Sequence, residues 1–169
     1  MGATNPVVYA VAEAARRAAH AEAARVLASS DKGLEAAAVA GSDPSWRQGE
    51  TLPADSQGVG YVVASGQPLS VAAPGPDGRP RLCVPCMLEG EPIGALELVG
   101  SPGQDAFSLQ AAEVATLFAG VAVAALMADD AGVPTAPSPR ELAAELGRLD
   151  ANDPARYASV ARAVSALLA

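Results

Sequence analysis

Residues 81–99 read Arg-Leu-Cys-Val-Pro-Cys-Met-Leu-Glu-Gly-Glu-Pro-Ile-Gly-Ala-Leu-Glu-Leu-Val. Two apolar runs, Arg81 to Leu88 and Ile93 to Val99, flank Glu89-Gly90-Glu91, so the stretch predicts a β-hairpin with a charged, Gly-containing turn. Pro85 has no N–H to give to a ladder, which places an edge or a bulge inside the first run. Just upstream, Gly75 to Pro80 is turn chemistry and Leu69 to Ala73 a short strand. Before these, Ser56 to Ser65 predicts a short helix, capped by Asp55 or Ser56 and closed by Gly66 as the residue after its last turn.

Further out, Glu22 to Ser30 and Leu34 to Ala40 flank Asp31-Lys32-Gly33 and form a second hairpin pattern, although alanine is a poor strand former. Residues 41–55 are irregular and hold the chain's single tryptophan, Trp46. Asn5-Pro6 is an N-cap followed by proline at the first helical position, opening a helix to about His20. Ala106 to Ala128 has helical periodicity on more than one face, which predicts a helix covered on two sides. Asp130 to Pro139 has linker composition, and two further helices are expected over 139–149 and 154–168.

Composition limits the function. The chain has 169 residues, enough for one domain with appended elements, and half of them are hydrophobic. Its net charge of −8 disfavours nucleic acid and anionic membranes as partners, since both need a basic patch. The uncharged run Val114 to Ala128 would span about 22 Å as a helix, short of the roughly 30 Å of a bilayer core. The first twelve residues carry no basic region or long apolar core of a signal peptide, and two cysteines are no disulfide framework. These features predict a cytoplasmic protein.

Four pieces in register resemble a GAF domain, the small-molecule-sensing module of signalling proteins. They are Gly58-Val59-Gly60-Tyr61-Val62-Val63-Ala64-Ser65-Gly66-Gln67-Pro68-Leu69, Leu82-Cys83-Val84-Pro85, Pro92-Ile93-Gly94-Ala95-Leu96-Glu97-Leu98 and Phe107-Ser108. The resemblance covers roughly residues 10 to 128. It implies an α+β fold with an antiparallel sheet, helices on one face and a loop-covered ligand pocket on the other, with dimerisation through the first and last helices. The expected division is a GAF domain over 1–130, a linker over 131–139 and a small helical hairpin as the extension over 140–169.

The resemblance names no ligand. The Asn-Lys-Phe-Asp-Glu set of cyclic-nucleotide-binding members is not found, nor is the anchoring Cys with His and Asp partners of bilin-binding members. One enzymatic subfamily, the free methionine-R-sulfoxide reductases, uses a cysteine in the helix where this chain has Gly58-Val59-Gly60, and others in the loop that is here the cysteine-free Ala72 to Pro80.

Cys83 and Cys86 come closest to a reactive motif. Three apart on a strand they point to opposite faces, so a disulfide within the pair needs local bending at Pro85. A redox Cys-x-x-Cys prefers a helix N-terminus, and a metal site needs more ligands than these. Buried, inert thiols are expected, with one of them lining a pocket, or redox chemistry, as the alternatives. Trp46 and Tyr61 fall where a pocket lid should be, as core plugs or ligand contacts. Arg47, Arg79 and Arg81 could meet an anion, although loop arginines are usually solvated, and His20 belongs to a solvated helix end.

The reading is a non-catalytic regulatory protein, a small-molecule sensor or signalling adaptor. It is expected to be homodimeric and to act on a partner protein, without cofactor or metal. Its ligand-contact candidates are Trp46, Tyr61, Arg81, Cys83 and Cys86. The alternatives are a reductase-like enzyme and a dimeric scaffold with no ligand.

Overall fold

The computed structural model describes residues 5–72 and 78–130, and beyond them only Ala144, Gly147, Arg148, Ala151, Pro154, Tyr157 and Ala158, all helical. The chain divides into two compact units, Met1–Ala131 and Gly132–Ala169. The expected linker over 131–139, and most of the two tail helices, lie outside the described residues.

Helix α1 (Pro6–Ala18) starts where its cap places it: the Asn5 side chain accepts from the backbone N–H of Val7 at 2.8 Å, and Pro6 follows at the first turn. Strands β1 (Ala23–Ser30) and β2 (Gly33–Gly41) form the alanine-rich hairpin. A two-residue strand β3 (Thr51–Leu52) pairs with the start of β2 inside the stretch expected to be irregular. It is too short for any sequence period to show. Helix α2 (Val59–Ser65) leads through Gly66 into β4 (Leu69–Val71), and β5 (Arg81–Leu88) with β6 (Glu91–Val99) is the hairpin of the opening stretch. Helix α3 (Leu109–Asp130) closes the described unit, with the Ser108 hydroxyl oxygen accepting from the N–H of Ala111.

The six strands form one antiparallel sheet, in the order β3-β2-β1-β6-β5-β4. Pro85 is accommodated because β4 pairs only with Arg81, Leu82 and Cys83, so the far side of β5 at Pro85 has no neighbouring strand. The ladder with β6 then shifts between Cys86 and Met87, the bulge that proline allows. Helix α2 is shorter at its front than expected. Neither Asp55 nor Ser56 caps it; the cap is Gly58 at φ 80°, without a side-chain hydrogen bond. Its other end is as expected, with Gly66 left-handed at φ 66° and its N–H on the Val62 carbonyl.

Alternation along the strands sorts the side chains between two cores. Ala24, Val26, Leu82, Val84, Cys86, Leu96 and Leu98 pack beneath α1 and α3. Leu27, Leu34, Ala36, Cys83 and Ala95 face the other way, against Val59 and Val62 of α2. On the helix side alanine predominates: α1 buries Ala12 and Ala15 beside Val8 and Val11, and α3 buries Ala111, Ala115, Ala119, Ala122 and Ala125 beside Val123 and Leu126. The outward face of α3 carries further large apolar groups, with Leu109 78% and Leu117 73% exposed and Val121 and Met127 also exposed. Leu109–Ala128 is long and apolar enough to cross a membrane by length and composition, but its alanine stripe is packed on the sheet as a core helix's would be.

Candidate functional site

The site is a row running across the sheet on the α2 face. Register sets Val39 of β2 opposite Arg25 of β1, Arg25 opposite Glu97 of β6, Glu97 opposite Cys83 of β5, and Cys83 opposite Leu69 of β4. Arg25 and Glu97 therefore stand side by side in the middle of the sheet, 6% and 4% exposed. Arg25 Nε donates to Glu97 Oε2 at 2.7 Å, and its Nη2 lies 2.6 Å from the same oxygen. Arg81 Nη1 donates to the other oxygen, Oε1, at 3.2 Å. A charge removed from water this fully persists only when paired, and here one carboxylate lies between two guanidinium groups.

Trp46 covers this cluster. Its ring centroid lies 4.3 Å from the guanidinium carbon of Arg25 and 6.0 Å from that of Arg81, within reach of a cation–π interaction. The loop that carries Trp46 is fastened by Asp43, which accepts from the backbone N–H and hydroxyl of Ser45 and pairs with Arg79. Burial pushes the Asp43 carboxyl up, but the Ser45 hydrogen bonds and the Arg79 guanidinium outweigh it and hold it below its usual value.

Beside the cluster opens a cavity of about 380 Å³. Arg25, Glu97, Arg81 and Cys83 line it from the sheet, Ser56, Gln57, Gly58 and Val59 from the entry to α2, and Leu52, Leu69 and Val71 from β3 and β4. The loop leading into α2 folds tightly against the helix because Gly60 has no side chain: a Cβ there would stand 2.5 Å from the Ala54 carbonyl oxygen.

The structure separates the five candidates. Arg81 and Cys83 line the cavity together. Trp46 is buried over Arg25 but is not among the lining residues, and Tyr61 stands 55% exposed on α2. Cys86 is on the opposite face, in the core beneath the helices. Both thiols are free, and burial pushes both up: Cys83 well above its ordinary value, with Glu97 adding to the effect, and Cys86 to about 12. Neither is a thiolate near neutral pH, which is what nucleophilic or redox chemistry would need. His20 sits exposed at the turn after α1. Among the described residues no group of three or more His, Cys, Asp or Glu could hold a metal ion.

Of the lining residues, sequence reasoning picked out Arg81 and Cys83; it missed Arg25, Glu97 and the lining from β3, the entry to α2 and β4. The signal for Arg25 and Glu97 was a single charge inside each of two apolar runs, Ala23 to Ala28 and Ile93 to Val99.

A helix-backed antiparallel sheet with a cavity on its other face is the arrangement that the opening resemblance implied. The family model for the GAF domain matches residues 7–128. The chain belongs to the GAF domain family. Solved GAF domains share its fold at low identity. The GAF-B domain of DevS from Mycobacterium smegmatis is 22% identical, with 77% of this chain and 97% of that one covered and a TM-score of 0.65. The GAF domain of an Acinetobacter phosphoenolpyruvate-protein phosphotransferase is 16% identical over 80% and 89% of the two chains, with a TM-score of 0.64. A free methionine-R-sulfoxide reductase from Neisseria meningitidis, solved with its substrate, is 19% identical over 76% and 83%, with a TM-score of 0.58. No curated protein matches the sequence. A sensing or regulatory domain is thus the general reading for this GAF domain.

Proposed function

We propose that this chain is a cytoplasmic, non-catalytic GAF regulator that binds a small molecule over the Arg25–Glu97 row and signals by protein contact as a homodimer. The observation that supports sensing most is the cavity of about 380 Å³, within the usual span of small-molecule pockets, about 300–1,000 Å³. It pairs apolar walls with a few fixed polar groups, the composition that recognises and orients a ligand. The outward face of α3 supports the dimer, because a helix that buries alanines and exposes Leu109, Leu117 and Val121 gains by burying them against a second copy. Val7 and Tyr9 on α1 add exposed apolar surface.

The reductase reading has less support. It needs reactive thiols, and both cysteines are buried with raised pKa values. In an assay coupling free methionine-R-sulfoxide to a thiol reductant, the protein is expected to show no turnover. Turnover lost in Cys83→Ser would reinstate the enzyme.

Native mass spectrometry with light scattering tests the proposal directly. A dimer that carries added small-molecule mass, and that becomes monomeric yet folded in Leu117→Glu, is the expected result. A wild-type monomer at every micromolar concentration would overturn the dimer. A retained ligand that leaves the cavity-lining residues unperturbed would overturn the site.

A further inference from the structure

Among the polar groups of the cavity wall, Arg25, Ser56, Gln57, Arg81 and Glu97, Arg25 is buried and carries a donor-only guanidinium. Its guanidinium has five N–H groups in one plane. Nε and Nη2 are both turned toward Glu97 Oε2, and among the described residues Nη1 has no acceptor, although Arg25 lines the cavity. The position of Arg25 is fixed on two further sides. Glu97 holds one edge, and Trp46 covers one ring-like face at 4.3 Å. Held this way, the guanidinium loses little freedom when it meets a ligand.

The complement of such a group is an acceptor, and a carboxylate is the one whose planar oxygens fit an arginine edge. Glu97, buried in the same wall, limits the charge that can be accepted, since a dianion such as a phosphate monoester would be set against its carboxylate. The apolar part of the lining, Leu52, Val59, Leu69 and Val71, asks for an apolar body.

We infer that the cavity is a site for a small organic monocarboxylate, its carboxylate on Arg25 and its hydrocarbon part against β3, α2 and β4. This rests on the cavity being the sensing site proposed above, and it adds the class of ligand.

The test is a titration of the methyl-labelled full chain with four probes that share a six-carbon body: hexanoate, hexan-1-ol, hexylammonium and hexyl phosphate. Methyl shifts at Leu52, Val59, Leu69 and Val71 report binding. Hexanoate is expected to bind at least about tenfold more tightly than the alcohol, the scale of a hydrogen bond to a charged group. The amine is expected not to saturate. In folded Arg25→Lys, which keeps the charge but loses the fork, hexanoate should fall toward the alcohol's affinity.

Equal binding of alcohol and hexanoate, or tighter binding of the amine or the phosphate, would overturn the monocarboxylate class and leave a sensing cavity standing. Wild-type affinity for hexanoate in Arg25→Lys would overturn Arg25 as the recognising group. Silence of the cavity methyls with all four probes would overturn the inference and remove the cavity from the sensing proposal as well.

Discussion

The two faces of the sheet come from the same strands, yet they are built from different materials. Beneath α1 and α3 the strands present Ala24, Val26, Leu82, Val84, Leu96 and Leu98, and the helices answer mostly with alanines, joined by Val8, Val11, Val123 and Leu126. On the α2 face the strands present Arg25, Glu97 and Cys83, and a cavity opens beside them. Small side chains let a helix approach closely and leave no room for a ligand. Charged side chains in the middle of a sheet cost desolvation and need partners. A one-residue step along β1, from Ala24 to Arg25, thus passes from a face that only packs to one that can recognise something.

The comparison can be broken most severely at Glu97. Glu97→Ala would leave the Arg25 guanidinium buried without its carboxylate, and urea unfolding is expected to show a loss of about 3–5 kcal/mol. A change under 1 kcal/mol would mean that the row is hydrated and not a buried ion cluster. The helix face should fail differently. Ala115→Leu forces a larger group between α3 and the sheet, with an expected cost of about 1–3 kcal/mol and no effect on the cavity methyls.

A smaller effect is expected from pH at the Trp46 loop. The Asp43 carboxyl is held below its usual value of 3.8, so its contribution is complete above that pH and disappears as the pH falls through the lower, folded-state value. The fluorescence of Trp46 should therefore hold steady from neutral pH down to about 4 and change only below it, and Asp43→Asn should remove that acid step. A Trp46 transition between pH 5 and 7 would contradict this assignment. The smallest effect is expected at the thiols. In the native protein Cys83 and Cys86 should react with iodoacetamide only through opening, far more slowly than in the urea-unfolded chain at the same pH. A native rate close to that of the unfolded chain would show an accessible thiol.

Much of the fold was legible in the sequence. Asn5-Pro6, Gly66 and the Glu89-Gly90-Glu91 turn each require a particular backbone geometry, and each is where the structure uses it. The opposite facing of Cys83 and Cys86 followed from the two-residue period of a strand. The front of α2 was misplaced because Asp55 and Ser56 have the chemistry of caps while the turn through Gly58 decides where the helix begins. The site was less legible. Arg25 and Glu97 lie 72 positions apart, and only the β1–β6 register brings them together. Their expected place at a pocket lid drew attention to Trp46 and Tyr61, but neither lines the cavity; Trp46 acts on it through Arg25.

The central claim is that one face of the sheet recognises a small molecule and the helical face opposite joins copies of the chain. A methyl spectrum of the full chain, recorded once across a ligand titration and once across a dilution series, tests both halves together. Hexanoate should move the methyls of Leu52, Val59, Leu69 and Val71 and leave Leu117, Val121 and Met127 in place, while dilution should do the reverse. Cavity methyls that ignore every probe, or α3 methyls that ignore dilution down to a demonstrated monomer, would contradict it.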